Sequence, residues 1–138
     1  MIKGFCSGTF AIPHIGHVLF LNECKRLCDH LTVVIANDEE TLAKKGRIDI
    51  PLPKRLEFFQ SLKCIDELII SRGTKVDLQY IYLCLKWYKI RYYFVNEDAF
   101  DLEVRKVYCK NNNIDLIVLS RMGNNSGISS TILENKIV

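Results

Sequence analysis

Proline, glycine and tryptophan are all sparse: 3 Pro, 7 Gly and 1 Trp in 138 residues. That excludes collagen-like and low-complexity chains. No apolar run approaches the roughly 18 residues a membrane helix needs. Residues 1–10 lack the basic-then-apolar pattern of a secretory signal. The expectation is a cytoplasmic protein with no membrane partner. The 6 Cys include no Cys-x-x-Cys pair, which disfavours a zinc ribbon or a disulfide scaffold; set in apolar stretches, they read as small hydrophobes. Charge of one sign is also in short supply, since 19 Lys and Arg against 16 Asp and Glu leave +3. So small an excess gives no argument for a nucleic-acid partner.

What the sequence does have is a core. Hydrophobic residues make up 49% of the chain, enough for one globular domain spanning 1–138. Five near-continuous apolar runs, at 2–6, 31–36, 67–71, 92–95 and 115–119, have the character of strands buried on both faces. Helical patterns separate them. His17, Phe20, Leu21, Cys24, Leu27, Cys28 and Leu31 recur on one face, so a helix is expected to start at or near His17. Others are expected from 52 or 53 to 63, over 76–88, near 101–110, and from about 129 to the end. Strands alternating with helices predict an α/β, Rossmann-like doubly wound domain with a five-stranded parallel sheet. The cluster Tyr80, Tyr82, Trp87, Tyr88, Tyr92 and Tyr93 has helical spacing and reads as core or as the face of a homodimer, not as a base-stacking platform.

The first strand runs into Gly8-Thr9-Phe10-Ala11-Ile12-Pro13-His14-Ile15-Gly16-His17. Two of the 3 His therefore sit three residues apart where a parallel strand ends and a helix begins. Ligands of open α/β sheets bind beyond the strand carboxyl ends, and the unpaired N–H groups of a helix start attract anions. Gly8 and Gly16 would let the backbone approach a ligand. Two imidazoles could donate hydrogen bonds to phosphoryl oxygens as charge develops. A zinc pair is disfavoured, for no third ligand is near and no Glu stands as in His-Glu-x-x-His, so no protein metal site is expected. The basic run 44–47 reads by itself as a solvated loop.

These residues resemble the HxGH nucleotidyltransferases and in particular their cytidylyltransferase branch, which includes the glycerol-3-phosphate cytidylyltransferases. The likeness extends along the chain. Pro53-Lys54-Arg55-Leu56-Glu57 and Cys64-Ile65-Asp66-Glu67 are similar to the family's Arg-bearing helix and the strand entry after it. Gly127-Ile128-Ser129-Ser130-Thr131 is similar to the branch's Gly-Ile-Ser-Thr-Thr signature. The resemblance implies sheet order 3-2-1-4-5. It implies transfer of a nucleotidyl group from a nucleoside triphosphate, with Mg²⁺ bridging the triphosphate, to a small phosphorylated alcohol, releasing pyrophosphate.

On the same resemblance His14 and His17 are catalytic at the α-phosphate, and Lys44 or Lys45, with Lys44 assigned the catalytic role, contacts the transferring phosphate from a mobile basic segment. Gly8, Thr9, Phe10, Gly16, Arg55, Arg121, Gly127, Ile128, Ser129, Ser130 and Thr131 would bind nucleotide, while Lys45, Glu97 and Asp98 would meet the second substrate. Three departures stand out: Ala11 where the family has Asp, Asn124 where the branch has Arg (the nearest is Arg121), and Asn96-Glu97-Asp98 where relatives have Gly-Asp-Asp. The C-terminal motif points to CTP and a CDP-glycerol-like product. The alternatives are an adenylyltransferase using ATP on FMN, a sugar phosphate or another phosphate monoester, and a catalytically inactive nucleotide-binding regulator.

Overall fold

A computed structural model describes residues 1–73 and 78–120. The five expected strands are β1 (Lys3–Gly8), β2 (His30–Ile35), β3 (Glu67–Ile70), β4 (Tyr92–Asn96) and β5 (Asp115–Leu119). They form one sheet in the order β3-β2-β1-β4-β5, and every pairing is parallel. β1 lies at the centre and extends two residues past its expected end, so that Gly8 is its last residue and pairs with Ile35. The site loop thus leaves from the middle of the sheet's carboxyl edge.

Five helices connect and cover the strands: α1 (Ile15–Arg26), α2 (Asp38–Lys45), α3 (Leu52–Gln60), α4 (Leu78–Trp87) and α5 (Leu102–Asn111). On one face Phe20, Leu21 and Cys24 of α1 and Phe59 of α3 pack on Cys6, Val33 and Phe94. On the other, Ile81, Cys84 and Leu85 of α4 and Cys109 of α5 pack on Phe5, Val34 and Tyr93. Strand residues alternate between the faces, so the inner strands β1, β2 and β4 bury residues on both sides while the edge strands β3 and β5 stay partly exposed; full burial of a large side chain contributes about 1.5–3 kcal/mol. The cysteines are free, five of them buried.

α1 starts at Ile15, near the expected His17, because His14 caps it. One expectation changes. The basic segment expected to be a mobile loop is instead the end of a helix: Lys44 and Lys45 close α2, with Gly46 as a left-handed cap at φ 80. Of the aromatic cluster, Tyr93 is core and Tyr82 of α4 stacks on Tyr108 of α5 with centroids 3.8 Å apart. Trp87 is 79% exposed. The expected helix start at Val76 and the expected last helix lie outside the described residues, as do Arg121, Asn124 and the 127–131 motif. Among the described residues no helix is long and apolar enough to cross a membrane.

Candidate active site

The site begins with a helix cap made from two histidines. His14 is the extended N-cap residue of α1, and its Nδ1 accepts the Gly16 N–H at 3.0 Å. Three residues on, Nδ1 of His17 accepts the His14 N–H at 3.3 Å. The two side chains satisfy helix-start donors reciprocally, as Ser and Glu do in an ordinary capping box. This sets the chemistry of both rings. An Nδ1 that accepts carries no proton, so each neutral imidazole carries its proton on Nε2 and presents it as a donor.

The rings stack with centroids 3.9 Å apart. Burial, with the neighbouring His14 second, lowers the pKa of His17 to about 4. At neutral pH it is an uncharged Nε2–H donor held rigidly at a helix start, where the N-terminal dipole favours an anion. The first turn of α1 contains no acidic residue to oppose one.

Phe10 fixes His17 from beneath. It adopts a left-handed backbone at φ 50 and is buried, with its ring edge-on to His17 at 5.0 Å and 4.9 Å from Phe59. Gly8 is required by that ring: a Cβ there would lie 2.9 Å from Phe10 Cε2 and Cζ.

Arg55, expected at a phosphate, is placed under the loop instead. It is 0% exposed and donates to the carbonyls of Thr9 at 3.0 Å, Ala36 at 2.8 Å and Ile50 at 3.0 Å, and to Asp38 Oδ1 at 2.7 Å. The guanidinium thereby ties the ends of β1 and β2 to α2 and α3. A planar fork with several donors suits that task, and spacing along the chain gives no sign of it.

Two hollows meet at this loop. The larger, about 520 Å³, opens over the carboxyl ends of β1, β2 and β4 and is bounded by Lys44, Asp98 and Arg105 among others. The smaller, about 450 Å³, includes Ala11, His14, Arg47 and Asp49. Thr9, Phe10, His17 and Lys45 line both. Gly8 and Gly16 lie on the larger. Lys44 has its pKa lowered, chiefly by burial and then by Lys45.

Glu97, expected at the second substrate with Lys45 and Asp98, does not line either hollow; its N–H donates to Leu119 O at 3.1 Å. Sequence reasoning missed Arg105, Glu40 and Ser71. Arg105 reads as one more charge on a helix; Ser71 Oγ donates to Glu40 Oε2 at 2.6 Å across 31 residues.

A parallel α/β sheet whose central strand ends in a histidine-capped helix, with cations around two joined hollows, is the architecture of an α/β protein with its candidate site beyond the strand carboxyl ends. The cytidylyltransferase-like family model matches residues 5–136, and the chain belongs to this family. FAD synthase of Pyrococcus abyssi is 35% identical over 81 residues, covering 58% of this chain and 55% of the relative. FAD synthase of Methanocella arvoryzae is 42% identical over 72 residues, 52% of this chain and 49% of the relative. The chain spans about half the length of these curated relatives. Among solved structures, a lipopolysaccharide core biosynthesis protein from Thermoplasma volcanium superposes with TM-score 0.70 at 25% identity, over 91% of this chain and 99% of that one. Pantoate-beta-alanine ligase from Francisella tularensis shares the fold, with TM-score 0.66 at 16% identity over 99% of this chain and 66% of that one.

Proposed function

We propose that the protein transfers a nucleotidyl group from a nucleoside triphosphate to a phosphate monoester and releases pyrophosphate. The observation that carries this is the pair of imidazoles fixed as Nε2–H donors at the start of α1, one of them on the wall shared by both hollows. An oxygen of the acceptor's phosphate attacks the α-phosphorus, the bond from that phosphorus to the bridging oxygen of the β-phosphate breaks, and pyrophosphate leaves with the electron pair. No protein nucleophile is needed, so orientation and charge stabilisation supply the rate. His14 and His17 would donate to the α-phosphoryl oxygens as their charge rises, and Lys44 and Lys45 would neutralise the polyphosphate.

Mg²⁺ would arrive as part of the triphosphate substrate.

The names of the relatives move the choice of substrates from CTP towards the adenylyl reading. A protein called FAD synthase makes FAD, and joining AMP from ATP to FMN does so. The ending Gly127 to Thr131 supports the second reading, CTP with a glycerol phosphate-like acceptor. Apolar side chains exposed on neighbouring helices, Leu83 and Trp87 on α4 with Val104 and Val107 on α5, support the homodimer.

Pyrophosphate release should be measured with ATP or CTP against FMN, a sugar phosphate and glycerol 3-phosphate, with and without EDTA. Release that needs one triphosphate, one monoester and Mg²⁺ together is the expected result. Nucleotide binding without release under every pairing would overturn transfer in favour of a regulator, and light scattering that gives a monomer mass would remove the dimer.

A further inference from the structure

We propose that Arg105 is the residue that recognises the acceptor's phosphate in the larger hollow, a proposal that rests on the nucleotidyl-transfer reading. Arg105 belongs to α5, yet the fold draws it inward. It is 5% exposed and still lines the hollow. Its Nε donates to the Phe100 carbonyl at 2.9 Å and its Nη1 to the Tyr93 hydroxyl at 2.6 Å. The guanidinium carbon stands 4.3 Å from the centroid of the Phe100 ring.

A carbonyl, a hydroxyl and a ring face fix the plane of this group, and none of the three carries a charge. A guanidinium stays charged at any ordinary pH, so the wall holds a fixed cation partly stripped of water. Burying a charge is costly unless a counter-charge meets it, and an anion entering the hollow supplies one. Lys44, Lys45 and Arg72 reach the same hollow from α2 and from the end of β3. Arg105 contributes to lowering the pKa of Lys44, so the fields of the two cations overlap there. Two carboxylates line this wall beside the cations: Glu40 accepts from Ser71 Oγ, and Asp98 is the other, with no ion pair to Arg105 among the described residues.

The ligand chemistry that fits is a phosphate monoester. The guanidinium fork carries more donors than its two bonds to described residues use, and paired N–H groups match two phosphate oxygens. His17 and Lys45 line the same hollow as Arg105, so a phosphate gripped here would share the chamber with the groups assigned to the reacting phosphates. Arg105 would thus require a phosphorylated acceptor and reject the corresponding free alcohol.

The test is binding rather than turnover. FMN and riboflavin, then glycerol 3-phosphate and glycerol, are titrated calorimetrically into the full chain as wild type, Arg105→Gln and Tyr93→Phe. The wild type should bind the phosphorylated member of at least one pair more tightly. Arg105→Gln should reduce that affinity roughly ten- to a hundredfold and leave the unphosphorylated partner within about twofold. Tyr93→Phe, which removes the hydroxyl that Arg105 and Ser7 both meet and little volume, should lose part of the preference, and it carries the test if Arg105→Gln does not fold. A preference unchanged in a folded variant, or an equal loss for both members of a pair, overturns the proposal, as does a wild type indifferent to phosphate. A chain that binds through Arg105 but never releases pyrophosphate would refute transfer and keep this site; an active chain whose preference ignores Arg105 would refute the site alone.

Discussion

His14 and His17 lie ring on ring, 3.9 Å between centroids, and each surrenders its Nδ1 to a backbone N–H of the helix start. One pair of side chains therefore caps α1 and aims two donors outward. The two duties can be separated by substitution. Asn caps a helix nearly as well as any residue, so His14→Asn should keep the melting temperature close to wild type. His14→Ala should cost about 1 kcal/mol. Both should lower kcat on the order of a hundredfold or more, the loss typical of a missing transition-state donor. Paired melting curves and single-turnover rates check this, and an active His14→Asn enzyme would refute the assigned role.

Acid should act on His17 in a defined window. Its pKa is lowered from 6.5 to about 4 in the folded chain, so between those values the unfolded chain binds a proton that the folded chain refuses. Stability is then fully retained above pH 6.5 and falls progressively as the pH drops towards 4. His17→Gln has no such group, and its melting temperature should fall less than that of the wild type between pH 7 and 4. Parallel curves for the two proteins would show that His17 does not titrate as stated.

Arg55 should behave as a structural anchor. Arg55→Met removes the side-chain donor of the Thr9, Ala36 and Ile50 carbonyls and the ion-pair partner of Asp38, which among the described residues keeps only the Leu52 N–H. Breaking such a buried arrangement costs about 3–5 kcal/mol. Arg55→Lys, a point charge without the fork, should recover only part of it. Urea denaturation reads the stability directly. Unimpaired stability in Arg55→Met would return Arg55 to the ligand-binding role its position in the sequence suggests.

Gly8→Ala tests the support under the site. The added Cβ must displace the Phe10 ring, and that ring abuts His17. Overpacking of this kind costs about 1–3 kcal/mol. Activity should fall further than stability, because a small shift of a positioned donor weakens catalysis steeply. Equal, small changes in both would mean that Phe10 yields without moving His17.

The strands were readable because burial on both faces leaves a continuous apolar run; β5 matches its expected limits and the others differ by a residue or two. The helix α2 was missed because it has no apolar stripe. Its only signals are at the ends: Asn37 as cap, Asp38, Glu39 and Glu40 in the first turn, Lys44 and Lys45 in the last, and Gly46 beyond. Read with those rules, the basic run would have appeared as a helix terminus. The histidine motif was legible as an anion address, but the tautomers were not, since they depend on which nitrogen meets which N–H. Arg55 and Arg105 were opaque for one reason. A charged residue on a helix looks alike in sequence whether it faces water or is drawn under a loop, and only the fold decides.

The wall shared by the two hollows bears on the order of events in the proposed transfer. Thr9, Phe10, His17 and Lys45 belong to both chambers, so the two proposed reactants would have room to be resident together. Such an arrangement suits a ternary complex and direct handover between co-bound molecules, with no enzyme-bound adduct left waiting after the first has gone.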